Sequence, residues 1–162
     1  MDKMERIEIN ISEQQLYYYR NDTCFQKYRV STAANGVGEQ NGSEKTPRGK
    51  HYIRAKIGAG LPVNAVFRGR RFTGQIYHDN SAGIGANQDW ILTRILWLSG
   101  LEINRNRLGP VDSMRRYIYI HGTPDSEPMG TPKSHGCIRM RNHNIVELFD
   151  WVSVGCPVNI IE

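Results

Sequence analysis

Two short segments concentrate the residue types that do chemistry: Ile120-His121-Gly122-Thr123 and Ser134-His135-Gly136-Cys137-Ile138-Arg139-Met140. A thiol becomes a useful nucleophile near neutral pH when a neighbouring base takes its proton and positive charge steadies the thiolate. Cys137 has His135 two residues before it and His121 sixteen positions upstream, while Arg139 and Arg141 follow on the same segment. Gly136 lets the backbone N–H groups beside the cysteine approach a reacting carbonyl, as an oxyanion hole requires. If the segment is extended, side chains i and i+2 share a face, so one strand presents Cys137 and Arg139 together. The chemistry implied is nucleophilic acyl transfer. A zinc site built from His121, His135 and Cys137 with His143 or His78 competes for the same atoms. Its spacing matches neither a finger nor an HExxH pattern, so no metal and no cofactor is expected.

The elements that must carry these residues read mostly as strands. Ile7-Glu8-Ile9-Asn10-Ile11 alternates with period two, and Leu16-Tyr17-Tyr18-Tyr19 and Phe25-Gln26-Lys27-Tyr28-Arg29-Val30 follow after polar turns. Residues 35–44 hold three glycines and form a loop, and Thr46-Pro47-Arg48-Gly49 is a compact turn feeding a strand over residues 50–57. Residues 91–98 fit helix or buried strand by periodicity; β-branched content and the closing Ser99-Gly100 favour strand. A further strand is expected over residues 116–120, ending at His121-Gly122. One helix is signalled, capped by Asn142, with Ile145, Leu148, Phe149 and Val152 on one face and Gly155 as its stop. Val158-Asn159-Ile160-Ile161 closes the chain as a strand. The fold class expected is mainly β, a sandwich or barrel-like single domain over residues 1–162 with one helix near the C-terminus.

Composition narrows the function classes. The chain has 162 residues with 39% hydrophobic and 23% charged, which fits a soluble globular domain, and its longest apolar stretch is too short to span a bilayer. Three cysteines without a CxxC pair are neither a disulfide framework nor a zinc ribbon, and Cys24 and Cys156 read as small buried hydrophobes. The net charge is +5, and 15 of the 21 basic residues are arginine. They are scattered, with Arg68-Gly69-Arg70-Arg71 the densest group, so carboxylate recognition suits them better than nucleic acid. His51, His78 and His143 read as surface or satisfied imidazoles. The N-terminus has no apolar signal segment, from which a cytoplasmic location is expected; an export signal outside this sequence would instead place the protein in the periplasm.

Ser-His-Gly-Cys-Ile-Arg-Met, preceded by the His-Gly-Thr strand end, resembles the signature of the L,D-transpeptidase catalytic domain. Gln15-Leu16 followed by tyrosine, Val30-Ser31-Thr32-Ala33, the glycine loop and Thr46-Pro47-Arg48-Gly49 resemble the front of that domain, so the likeness runs from Ile7 to Ile161. It implies a β-sandwich with cysteine and histidine facing across a cleft. It also implies roles: Cys137 as nucleophile, His121 as base, and the carbonyl of Gly122 as the group orienting the imidazole. Backbone N–H groups of His135, Gly136 and Cys137 would form the oxyanion hole. Ser134, His135 and Arg139 would meet substrate, Arg139 through a carboxylate or through site electrostatics. The substrate implied is a peptidoglycan tetrapeptide stem or muropeptide, attacked between its third residue and D-Ala. The twelve residues between His121 and Ser134 are fewer than in many members, so the loop on the acyl-acceptor side is expected to differ.

The thioester can pass to water, giving L,D-carboxypeptidase action, or to an amine of a second stem, giving a 3→3 cross-link. A cytoplasmic enzyme would meet soluble stems rather than the polymeric wall, so water is the expected acceptor. An idle peptidoglycan-binding module and an arginine-rich nucleic-acid binder are the competing classes. Neither has use for the thiol and imidazole.

Overall fold

The computed structural model describes residues 4–78 and 89–162. Ten strands form one sheet: β1 (Glu5–Asn10), β2 (Gln15–Arg20), β3 (Thr23–Ser31), β4 (Gly49–Ile57), β5 (Ala65–Arg68), β6 (Arg71–Ile76), β7 (Ile91–Gly100), β8 (Tyr119–Gly122), β9 (Ile138–Met140) and β10 (Pro157–Ile161). Their order is β4-β10-β1-β2-β3-β9-β8-β7, and pairing of β4 with β7 closes these eight into a barrel. Closure leaves no edge strand open in that ring. The β5–β6 hairpin hangs on the free side of β7, where Val66 and Phe67 pair with Leu92 and Ile91. The mainly-β, barrel-like architecture with a single described α-helix agrees with the expectation from sequence.

Alternation explains the early strands. Ile7 and Ile9 of β1 stand opposite Tyr18 and Leu16 of β2, and all four are buried. Each such side chain contributes about 1.5–3 kcal/mol on burial. β7 shows no alternation because it is covered twice. Leu96 and Leu98 face the main core with Ile120, Ile138 and Met140. Ile95 and Trp97 face a second cluster with Ala65 and Phe67 of the hairpin and Tyr119. A strand buried on both sides loses the period-two signal.

Several expectations need correction. The strand placed over residues 116–120 begins only at Tyr119, because Tyr117 sits in a turn with φ 56°. Helix α1 spans Asn142–Trp151, and its N-cap position is Arg141, with no side-chain cap. Asn142 is thus the first helical residue, and its amide is turned inward for another purpose. The helix ends at Val152, whose backbone is extended, three residues before the expected stop. Gly155 (φ 94°) instead turns the chain, its N–H bonded to the carbonyl of Ile53, into β10. Ile145, Leu148, Phe149 and Val152 enter the main core as expected. Cys156 is buried, but Cys24 is exposed on β3. The Arg68-Gly69-Arg70-Arg71 group is the β5–β6 turn. No described helix is long and apolar enough to cross a membrane.

Candidate active site

β8 and β9 run parallel, with His121 opposite Arg139. Alternation sends Ile120, Ile138 and Met140 into the main core, so Tyr119, His121 and Arg139 share the other face. Cys137 packs against the second cluster, beside residues of the hairpin, β7 and Tyr119. Cys137 itself lies in a bend just before β9, so one strand does not carry both residues as expected; its packing against the second cluster keeps it on the side of Arg139, where a neighbouring parallel strand supplies the imidazole.

His121 is fully buried, and its Nδ1 lies 2.6 Å from the carbonyl oxygen of Gly122. A carbonyl only accepts, so Nδ1 carries the proton and the neutral ring keeps its lone pair on Nε2. That Nε2 has no hydrogen-bond partner among the described residues. Burial lowers the imidazole's proton affinity, against the opposing pull of Asp89 and the Gly122 carbonyl. An unprotonated, uncommitted Nε2 is what a general base must offer.

The thiol of Cys137 donates to the carbonyl of Tyr117 at 3.3 Å and accepts from the N–H of Tyr119 at 3.3 Å. Surrounding protein pushes its pKa up to about 12; the Tyr119 N–H, Arg139 and Arg116 pull it down, while Asp89 adds to the rise. Cys137 is open to solvent on one side, which relieves part of that burial. Burial thus favours the neutral form of both partners.

The loop that carries the thiol is held by groups that sequence reading only partly named. Ser134, expected against substrate, is 1% exposed, and its hydroxyl donates to the carbonyl of Cys137 at 2.6 Å. It also accepts the N–H of Gly136 at 3.2 Å, so that one of the three N–H groups expected in an oxyanion hole is already engaged within the loop. Gly136 has φ 130°, and an added Cβ would lie 3.3 Å from the carbonyl of Lys45. Its own carbonyl accepts from Thr46 at 2.9 Å, and Thr46 accepts the N–H of Ala33. The Thr-Pro-Arg-Gly turn is thus a clamp on the thiol loop. Arg116 secures the glycine loop, donating to the carbonyls of Gly38 and Lys45.

Asp89 is the main residue that sequence reading missed. It lies 2.7 Å from Nη2 of Arg139 and 3.6 Å from Nδ1 of His135. Burial would raise its carboxyl, but His121, Arg139 and His135 together hold it below the ordinary value. Nothing local marks it, since it stands alone before Trp90 and meets its partners only across the barrel surface. Arg139 is 6% exposed and has Glu127 at 3.8 Å as a second carboxylate. Its guanidinium is therefore engaged internally, which favours the electrostatic half of its expected role. His135 keeps an exposed side chain at the mouth of the site.

Gly122 explains why a glycine follows the histidine. A Cβ there would overlap Asn142 Oδ1 and the carbonyl of Leu92. Asn142 Oδ1 accepts from the Thr93 hydroxyl at 2.6 Å, and its Nδ2 donates to Asn64 at 2.9 Å. This buried network lies behind the Gly122 carbonyl that orients His121. Thr93 itself has φ 76° at a register shift in β7. Among the described residues no group of three or more His, Cys, Asp or Glu could hold a metal ion. His51 is buried between Gly49 and Ser113, whereas His78 and His143 are exposed.

Residues 4–160 match the family model YkuD, the L,D-transpeptidase catalytic domain. Over 47 residues the chain is 49% identical to the probable L,D-transpeptidase ErfK/SrfK of Salmonella typhimurium, covering 29% of this chain and 15% of that protein. Over 47 residues it is 45% identical to the putative L,D-transpeptidase YqjB of Bacillus subtilis, 29% of this chain and 27% of that one. Among solved structures, an L,D-transpeptidase from Mycobacterium smegmatis aligns with a TM-score of 0.58 at 18% identity, over 99% of this chain and 59% of that one. L,D-transpeptidase LdtMt1 in complex with imipenem aligns at 0.57 and 19% identity, over 98% and 59%. The structural likeness speaks for the fold, and the chain spans less than two thirds of each of these relatives. On the match across nearly all its residues, the chain belongs to the L,D-transpeptidase catalytic domain family.

Proposed function

We propose that Cys137 is the nucleophile of an acyl enzyme acting on peptidoglycan tetrapeptide stems, at the bond between the third residue and D-Ala. The observation that carries this reading is the free Nε2 of His121, fixed by the Gly122 carbonyl on the same sheet face as the thiol. Nε2 takes the thiol proton as sulfur attacks the carbonyl carbon, and the oxyanion meets the N–H groups of His135 and Cys137. The imidazolium returns the proton to the departing D-Ala amine, leaving a thioester. Water then attacks with His121 again as base, releasing the tripeptide and the thiol.

Water as the acceptor is supported by the connection from β8 to the thiol loop. It lies down on the barrel, with the N–H of Gly130 on Val30, the N–H of Lys133 on Thr32, and Met129 buried. A dilute amine needs a dedicated, well-oriented site to compete with water, and a short packed connection leaves little material to build one. The reading includes soluble muropeptides in the cytoplasm as the substrates, a location that fractionation of native cells tests.

The test is incubation with a tetrapeptide muropeptide and mass spectrometry of the products. Tripeptide and D-Ala are expected, lost in both Cys137→Ala and His121→Ala with the fold retained. Predominant 3→3 dimers would replace water by an amine as acceptor. D-Ala release by Cys137→Ala near the wild-type rate would overturn the mechanism. Imipenem should add its mass to the wild type and leave Cys137→Ala unmodified.

A further inference from the structure

The arginine expected to read a substrate carboxylate is engaged elsewhere, yet the substrate class proposed above carries several carboxylates. Arg139 is buried against Asp89, Arg116 is bound to the carbonyls of Gly38 and Lys45, and Arg141 donates to the carbonyl of Asp125. One arginine, linked to the thiol through Tyr119, is held differently. Arg70, in the β5–β6 turn, lies over the Trp97 ring at 4.6 Å and over the Tyr117 ring at 4.8 Å. Its Nη1 donates to the Tyr119 hydroxyl at 3.0 Å. Tyr117 and Tyr119 are the residues whose backbone carbonyl and N–H contact the Cys137 thiol. The guanidinium is therefore one tyrosine away from the candidate nucleophile.

The support beneath it is firm. Trp97 packs edge-on against Tyr119, with centroids 6.1 Å apart at 84°, and its indole N–H is tied to the carbonyl of Met114. Stacking on aromatic faces restrains a guanidinium plane and leaves its edge donors pointing outward. Among the described residues no carboxylate pairs with Arg70, although Arg6, Arg48, Arg105 and Arg139 all have acidic partners. Arg70 is only half-buried, so a planar anion can reach it from solvent. A carboxylate meets such an edge with two parallel hydrogen bonds, and a carboxamide cannot reproduce them.

We infer that Arg70, stacked on Trp97 and Tyr117, is a specificity-determining residue that binds a free carboxylate of the stem peptide. The inference rests on the stem reading of the site. Two kinds of carboxylate share this chemistry, the terminal one on D-Ala and those farther up the stem.

The experiment compares kcat/KM for a free-acid tetrapeptide, its terminal carboxamide, and a form amidated at the upstream carboxyls, in wild type, Arg70→Gln and Arg70→Lys. For the wild type, the free acid should be preferred at least about tenfold over one of the two amides, which identifies the carboxylate. Arg70→Gln should bring that acid-to-amide ratio close to one, chiefly through KM, and Arg70→Lys should restore part of it. Labelling of Cys137 by uncharged iodoacetamide should proceed at the wild-type rate in both variants, showing that the thiol loop is unmoved. An acid-to-amide ratio unchanged in Arg70→Gln overturns the inference, as does equal loss on all three substrates. Absence of turnover by the wild type on every substrate would remove the stem reading itself, and this inference with it.

Discussion

Replacing Asp89 by asparagine should remove the negative partner of a buried guanidinium while keeping shape. The Arg139 side chain is 7% exposed and lies 2.7 Å from the carboxylate. Breaking a fully buried ion pair by deleting one member costs about 3–5 kcal/mol, mostly the penalty of the charge left behind. Asp89 is 27% exposed, and Glu127 at 3.8 Å supplies some replacement charge. The expected loss is therefore about 2–3 kcal/mol at pH 7, below the fully buried figure. Because the penalty belongs to the stranded arginine, Asp89→Asn combined with Arg139→Met should be more stable than Asp89→Asn alone. The pH dependence has a definite sign. The folded carboxyl lies below its ordinary value of 3.8, so the unfolded chain binds the proton first. The stabilisation is thus full above about pH 4 and disappears as pH falls through the lowered folded value. Urea unfolding of wild type, both single variants and the double variant from pH 3 to pH 7 measures all of this. A loss under about 0.5 kcal/mol for Asp89→Asn, or a double variant equal to the sum of the singles, would refute the reasoning.

Gly122→Ala should destabilise by about 1–3 kcal/mol and lower turnover more than stability requires, because the new Cβ displaces Asn142 or the Leu92 carbonyl behind His121; a thermal melt and the D-Ala assay together check it. Burial holds His51 near pKa 4 against an ordinary 6.5, so the unfolded chain protonates first as pH falls below 6.5. Stability should drop by up to about 3 kcal/mol between pH 6.5 and 4, with a shallower slope in His51→Gln. With its pKa pushed up to about 12, the Cys137 thiol should react slowly with iodoacetamide at pH 7 and about tenfold faster per pH unit up to pH 10. The exposed Cys24 should label ahead of it. A Cys137 rate already at plateau below pH 8 would mean a resting thiolate–imidazolium pair instead.

Sequence alone carried the residues whose meaning is local. Alternation in Ile7-Glu8-Ile9 and the spacing of Ile145, Leu148 and Phe149 express which face of an element is apolar, and that is settled before the element packs. The Cys137–Arg139 relation was only half legible: alternation places Arg139 within β9, but Cys137 lies in the bend before that strand and is held on the same side by tertiary packing. The double burial of β7 was not legible, because it depends on a hairpin and a barrel interior meeting on opposite sides of one strand. The role of Asn142 reversed for a similar reason: helix-start chemistry favours a cap, but Thr93 and Asn64, brought beside it by β7 and the turn before β5, claim its amide. Asp89 and Arg70 lie 48 and 67 residues from Cys137 in the chain and have no motif. Their significance comes from charge and ring contacts across strands, which only closure of the sheet creates. Sequence marked the thiol and imidazole as the candidate chemistry; the tertiary structure decided which charges surround them, because electrostatic partners are chosen by distance in space.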